Sequence, residues 1–292
     1  YELRTNGKKK LTKKKGKRKL VNLNENLTLR DLASEAANEA CLFLKSIDFN
    51  FDEVHSKSSH SDLVTEIDQR VESIIFNFLQ SRRNNDSFLG EEGTSAIGSS
   101  GVRWILDPID GTTNYVYGIP YFGVSIAAEK NGEVVAGAVA DPNRNEIFDA
   151  ARGFGAQCNG SSICISGGTN LNNSLIATGF SYSSERRGIQ AEVLSHLLPK
   201  VGDIRRFGAA AVDLCWLAKG RVDAFYEEGL NYWDFAAGSL IAEEAGAAII
   251  HLDDFLGEQL IVAATPTIKQ DFLMLLEGTR DQMINDSKIS FP

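Results

Sequence analysis

The segment that most constrains this chain is Asp107-Pro108-Ile109-Asp110-Gly111-Thr112-Thr113-Asn114, which follows the apolar run Val102-Arg103-Trp104-Ile105-Leu106. The run reads as a strand driving into a core. Two carboxylates three residues apart emerge where that strand should end. Pro108 fixes its own φ and pushes Asp107 towards an extended conformation, so the spacing is held. Gly111 lets a ligand approach the backbone, and the two threonines offer hydroxyls and N–H groups. Carboxylates bind hard cations and backbone N–H groups bind phosphate. Both on one tight turn point to metal-assisted chemistry on a phosphate ester. The competing reading is an acidic turn that caps a helix, because Asp-Gly and Asp-Pro are common turn pairs.

At 292 residues and 43% apolar content the chain can bury a large core and suits two closely packed halves. No apolar run reaches the roughly 18 residues that cross a bilayer. The four cysteines, Cys41, Cys158, Cys164 and Cys215, show neither CxxC spacing nor nearby histidines. They are expected to be reduced, buried cysteines of a cytoplasmic protein. Charge is uneven. Of 30 Lys/Arg and 39 Asp/Glu, ten and one fall in residues 1–20, which leaves 20 against 38, a formal −18, on the body. An acidic body suits cation binding and argues against a main surface for nucleic acid. The basic arm, residues 1–20, is expected to be disordered, a solvated tail or a weak nonspecific contact for a polyanion.

Apolar residues at helical spacing predict helices over 29–44 and 62–80. Strand-like runs follow at 102–106, 121–129, 133–140 and 145–150, with the hairpin signal Asn131-Gly132 between the second and third. Strands at 175–178, 222–226, 247–252 and 261–264 then alternate with helices at 185–198, 209–218, 234–245 and from about Thr267. Gly246 is expected to stop the third of these helices. The alternation implies a layered α/β architecture. The expected division is a basic arm, 1–20, an N-terminal α+β half, 21–160, and a C-terminal α/β half, 161–292.

Two further segments join the first: Leu89-Gly90-Glu91-Glu92-Gly93 upstream and Tyr232-Trp233-Asp234-Phe235-Ala236-Ala237-Gly238 downstream. With all three in order, the chain resembles the inositol monophosphatase family of magnesium-dependent phosphatases from about Leu29 to Leu276. The resemblance implies a layered αβαβα sandwich of the inositol monophosphatase / fructose-1,6-bisphosphatase type. It implies two or three Mg2+ ions per subunit, lithium sensitivity and a homodimer. Glu91, Asp107 and the Ile109 carbonyl would hold a first ion, and Asp107, Asp110 and Asp234 a second. Glu91 and Thr112 would orient the attacking water, with Asp68 hydrogen-bonded to the threonine. Glu92 matches a carboxylate just behind the metal ligands, and Lys57 a basic residue near a loosely held ion and the phosphate. The N–H groups of Gly111 and Thr112 would cradle the phosphate. Gly208-Ala209-Ala210 matches the segment against the substrate ring, and Glu227 the acceptor of cyclitol or sugar hydroxyls. Of Arg205 and Arg206, Arg205 is favoured as a substrate contact.

The expected reaction is hydrolysis of a phosphate monoester, myo-inositol 1-phosphate or a close polyol phosphate, by a metal-activated water. Ala209 replaces a hydroxyl residue of animal members, which argues against strict inositol selectivity. Two alternatives stay open. One is a relaxed sugar or nucleotide phosphatase of fructose 1,6-bisphosphatase, NADP phosphatase or histidinol-phosphatase type. The other is a non-catalytic, RNA-polymerase-associated role, which some bacterial relatives have. An aspartyl-phosphate mechanism needs Asp-x-Asp, and here the acids are one residue further apart.

Overall fold

The computed structural model describes the backbone of residues 6–47, 60–168, 170–253 and 259–285. It describes the side chains of 24–47, 65–168, 170–252 and 259–285. Two helices lead, α1 (Asn6–Ser46) and α2 (His60–Arg82). The strands β1 (Ser87–Gly90), β2 (Ser95–Ala96), β3 (Val102–Asp110), β4 (Gly123–Lys130), β5 (Glu133–Asp141), β6 (Glu146–Ala151), β7 (Ala156–Cys158) and β8 (Ser161–Ile163) follow. They form one sheet in the order β2-β1-β3-β4-β5-β6-β7-β8, with the short helix α3 (Thr112–Val116) between β3 and β4. A second sheet contains β9 (Leu175–Thr178), β10 (Asp203–Arg205), β11 (Ala224–Glu228), β12 (Ala248–Asp253) and β13 (Gln259–Ala264), in the order β10-β9-β11-β13-β12. Its helices are α4 (Ser184–Leu197), α5 (Ala210–Ala218), α6 (Tyr232–Glu244) and α7 (Lys269–Asn285).

Three cores join five layers. On α1, Leu29, Ala33, Ala36, Ala40 and Leu44 recur at helical spacing and are buried. Their small size lets the helix lie close to the large sheet. Ile67, Val71, Ile75 and Leu79 form the matching stripe on α2. The other face of the large sheet packs on α5 and α6, which also meet the small sheet. α4 and α7 cover the far side of the small sheet around Phe272, Leu276 and Val193. The order is the αβαβα sandwich expected from the resemblance.

Local signals hold where chemistry is local. Asn131 (φ 56°) and Gly132 (φ 80°) both take positive φ, the type I′ turn that an Asn-Gly pair favours between β4 and β5. α6 ends at Glu244, and the Gly246 N–H donates to the Glu243 carbonyl as it turns away. Three expectations change. β3 does not stop at Leu106 but runs to Asp110, so both carboxylates sit on the strand itself, with an irregularity of register against β4 between them. Pro108 lies within that interval and has no N–H to give to a ladder. The basic arm is helical backbone from Asn6 onward, continuous with α1, while residues 1–5 lie outside the described residues. Lys, Arg and Leu are good helix formers, and propagating an existing helix is far easier than nucleating one. Cys164 is exposed, unlike the other three cysteines, because it follows the short edge strand β8; all four are free.

Candidate active site

A cavity of about 230 Å3 opens beside the C-terminal end of β3, at the junction of the two sheets. The large-sheet half contributes Glu91, Asp107, Ile109, Asp110, Gly111 and Thr112 to its lining. The other half contributes Gly208, Ala210, Glu227 and Asp234. Ten residues singled out from the sequence are thus brought together from positions up to 143 apart in the chain.

The electrostatics are those of an uncompensated acid cluster. Asp107 is fully buried, and its carboxyl is held well above the usual carboxylate range by burial, then by Asp110, Glu91 and Asp234. Its Oδ1 has no hydrogen-bond partner. Asp110 is pushed up to about 8 by burial and by Asp234, against the pull of three backbone N–H groups. Glu91 stands exposed at the rim, yet the desolvating wall and Asp234 still push it up to about 7. Asp234 rises to about 6 for the same first reason, burial. Buried like charges stay ionised only with a compensating cation. An oxygen-only donor set of carboxylates and one carbonyl suits a hard divalent ion. Among the described residues, no three Asp, Glu, His or Cys side chains already close on one point at metal-binding distance. The set is gathered rather than closed.

Several residues that hold this cluster had no role in the sequence reading. α5 begins after Ala209, which has no side-chain oxygen to cap it. Asp110 replaces the cap from across the fold, accepting from the N–H groups of Ala210 (3.1 Å), Ala211 (2.7 Å) and Val212 (3.4 Å). Oδ1, which accepts from Ala210 alone, keeps a lone pair for another partner. Asn114 donates to the carbonyls of Tyr121 (2.7 Å) and Phe207 (2.8 Å), which ties the Gly111 turn to the segment before α5. Glu72 on α2 accepts from the N–H groups of Glu92 (2.9 Å) and Thr94 (2.8 Å) and so shapes the turn that carries Glu91. The signal for Glu72 was available: it lies one helical turn beyond Asp68, beside the apolar stripe. Asp213, wholly buried on α5, accepts from the Tyr121 hydroxyl (2.5 Å) and is held well above the usual carboxylate range, mainly by burial. Asp234 lies at the third position of α6, not at its cap, and accepts from the Asn231 N–H (2.6 Å).

Other sequence expectations move. Thr112 Oγ1 donates to the Ile109 carbonyl (2.9 Å) and makes no hydrogen bond to Asp68. The carbonyl lies three residues back on the same turn and is the nearer acceptor. Asp68 is buried on α2 outside the cavity lining, pushed up to about 8 by burial and by Glu92, Glu91 and Glu72. Glu92 also lies outside the lining, behind Glu91. Ala209 is buried against Gly111 instead of facing the cavity, where only a glycine-sized neighbour with φ 89° fits. The preference for Arg205 is corrected: Arg205 pairs with Asp203 (2.6 Å) at the surface, and Arg206 lines the cavity. Neighbouring side chains on an extended chain point to opposite sides, so only one of the two can face inward. Lys57 lies outside the described residues.

The inositol monophosphatase family model matches residues 25–278. An inositol-1-monophosphatase SuhB of Mycobacterium tuberculosis is 42% identical over 275 residues, 87% of this chain and 95% of that one. A Nus factor SuhB of Vibrio cholerae is 39% identical over 216 residues, 72% of this chain and 81% of that one. The solved structure of Mycobacterium tuberculosis SuhB superposes with a TM-score of 0.73 at 40% identity, covering 88% of this chain and 96% of its own.

Proposed function

This chain belongs to the inositol monophosphatase family, and we propose that it hydrolyses a polyol phosphate monoester, myo-inositol 1-phosphate or a close analogue, in a Mg2+-dependent reaction. The observation that carries this reading is the acid cluster of Glu91, Asp107, Asp110 and Asp234 around one cavity, with a buried Asp107 oxygen that lacks any hydrogen-bond donor. In this reading Glu91, Asp107, the Ile109 carbonyl, Asp110 and Asp234 hold two or three Mg2+ ions. Bound Mg2+ supplies a water acidic enough to attack and positive charge for the phosphate and the leaving oxygen. The protein's own groups do the rest. Glu91, at the rim of the cavity, is placed to take the water's proton. The Gly111 and Thr112 amides face phosphate oxygens, and Thr112 Oγ1, held by the Ile109 carbonyl, sits beside the same atoms. Asp110 joins the metal side to α5, so its position is fixed from both halves. Glu227 accepts hydroxyls of the alcohol.

No helix among the described residues is long and apolar enough to cross a membrane. We place the protein in the cytoplasm as a homodimer, with the division of the body near residue 160 and a dispensable basic arm that binds polyanions weakly. A second reading, a regulatory role independent of hydrolysis, is favoured by the relative named Nus factor. Phosphate release from myo-inositol 1-phosphate decides between them. Turnover should need Mg2+, stop in excess EDTA, return when Mg2+ is restored, and fall with millimolar lithium. Full turnover in EDTA would overturn the metal mechanism. No turnover on any phosphate ester with Mg2+ would leave the regulatory reading.

A further inference from the structure

Arg206 is the one Lys, Arg or His side chain among the described residues that lines the cavity. Its guanidinium lies against the Cα of Gly208, where a Cβ would collide with Nη1. The Glu227 carboxyl lies in the same way against Gly179, where a Cβ would collide with both of its oxygens. Two positions without side chains therefore seat one cation and one acid in the same wall. Within the described residues the two groups neither pair with each other nor hydrogen-bond to anything else. Arg206 is nonetheless close enough for its charge to act on Glu227. The neighbouring Glu228 has Arg186 4.0 Å away. The Arg206–Glu227 end of the cavity thus sets a cation beside its acids, with N–H donors and carboxylate acceptors left over.

We propose that Arg206 and Glu227 are a donor–acceptor pair that reads adjacent hydroxyls of the alcohol, and that the acids at this end, Glu227 and Glu228, set a preference for a neutral polyol phosphate over an alcohol bearing a second phosphate. The inference rests on the phosphatase reading above. A guanidinium only donates and a carboxylate only accepts, whereas each hydroxyl does both. One hydroxyl accepts from Arg206 while its neighbour donates to Glu227, and both bonds are charge-assisted. A second phosphate at this end would face Glu227 and Glu228. A leaving group with no hydroxyl beyond the esterified oxygen would leave both charged groups without partners, which is how a polar site rejects an apolar analogue.

The test compares kcat/KM on myo-inositol 1-phosphate, fructose 1,6-bisphosphate and p-nitrophenyl phosphate, with Mg2+, for the full-length wild type, Arg206→Ala and Arg205→Ala. In Arg206→Ala the ratio of inositol 1-phosphate to p-nitrophenyl phosphate should fall about 10- to 100-fold, the scale of a lost hydrogen bond to a charged group. The loss should sit mainly in KM, and Arg206→Lys should recover part of it. Arg205→Ala should keep the wild-type ratio. An unchanged ratio in Arg206→Ala overturns the inference while leaving the phosphatase reading intact. So does a loss largest on fructose 1,6-bisphosphate, which would make Arg206 a second-phosphate site. If the wild type hydrolyses none of the three, it is the phosphatase reading that fails.

Discussion

The two walls of the cavity are built on opposite electrostatic plans. The β3 wall gathers Asp107 and Asp110 with Glu91 and Asp234, and no basic side chain among the described residues compensates them; each carboxyl is pushed upward by burial, and all but Asp234 by their neighbours as well. The opposite wall has basic side chains of its own, Arg206 near Glu227 and Arg186 near Glu228, although burial and Asp110 still push the Glu227 carboxyl up. The first wall is held by long-range hydrogen bonds into rigid elements, from α5 to Asp110 and from the 92–94 turn to Glu72. The second takes its side chains from a strand and from loop ends before α5. An unbalanced acid wall is unstable by itself and is explained by a cation it must hold. A wall that carries its own cations makes less demand of that kind and can change its hydroxyl pattern without loss of the chemistry.

Four experiments test that contrast. The largest effect belongs to the acid wall. Asp107→Asn should lower kcat by about 10³-fold or more, the scale of removing a principal electrostatic stabiliser. Steady-state kinetics with saturating Mg2+ would read it. Glu227→Gln, on the opposite wall, should cost about tenfold and mainly in KM. Equal losses in kcat from the two changes would erase the distinction between the walls.

The third concerns stability. Asp110, Glu227 and Asp68 are pushed up to about 8, Glu91 to about 7 and Asp234 to about 6. In the unfolded chain such groups release their protons near pH 4. Between those values the folded state binds more protons, so the metal-free protein loses stability as pH rises from about 4 to 8. Its Tm should fall by several °C, on the order of 2–4 °C per kcal/mol, between pH 5 and pH 8. Asp107→Asn should flatten the slope, and Mg2+ should raise Tm most at pH 8. Scanning calorimetry with EDTA or Mg2+ would show it; a Tm that rises with pH in EDTA would mean the acid wall is already compensated. The smallest effect is expected from deleting residues 1–20. Those residues contribute ten basic side chains, and every described residue that lines the cavity lies at or beyond Glu91. Tm and kcat should stay within experimental error while retention on a polyanion column weakens. Loss of turnover would mean that catalysis depends on the first turns of α1.

Much of the molecule was legible in the residues alone because the chemistry was local. The stripes on α1 and α2, the Asn131-Gly132 hairpin, the Gly246 stop and the acids around Pro108 each declare themselves within a few positions. Their neighbours fix them through helical period, turn geometry or restricted φ. What lay between distant segments was not legible. Nothing near Asp110 announces that it caps a helix starting 100 residues later, and nothing near Ala209 announces that its missing cap comes from there. The short strands β1, β2, β7, β8 and β10 carry too few residues for a period and exist because neighbouring strands pair with them. Arg205 and Arg206 are chemically identical and adjacent; only the direction in which the chain leaves β10 turns one to Asp203 and the other to the cavity. By itself the sequence determined which side chains could do the chemistry, since donor type and spacing are covalent facts. The tertiary structure decided which of them share a cavity and with what charge around them, because burial and approach depend on residues that only folding brings together.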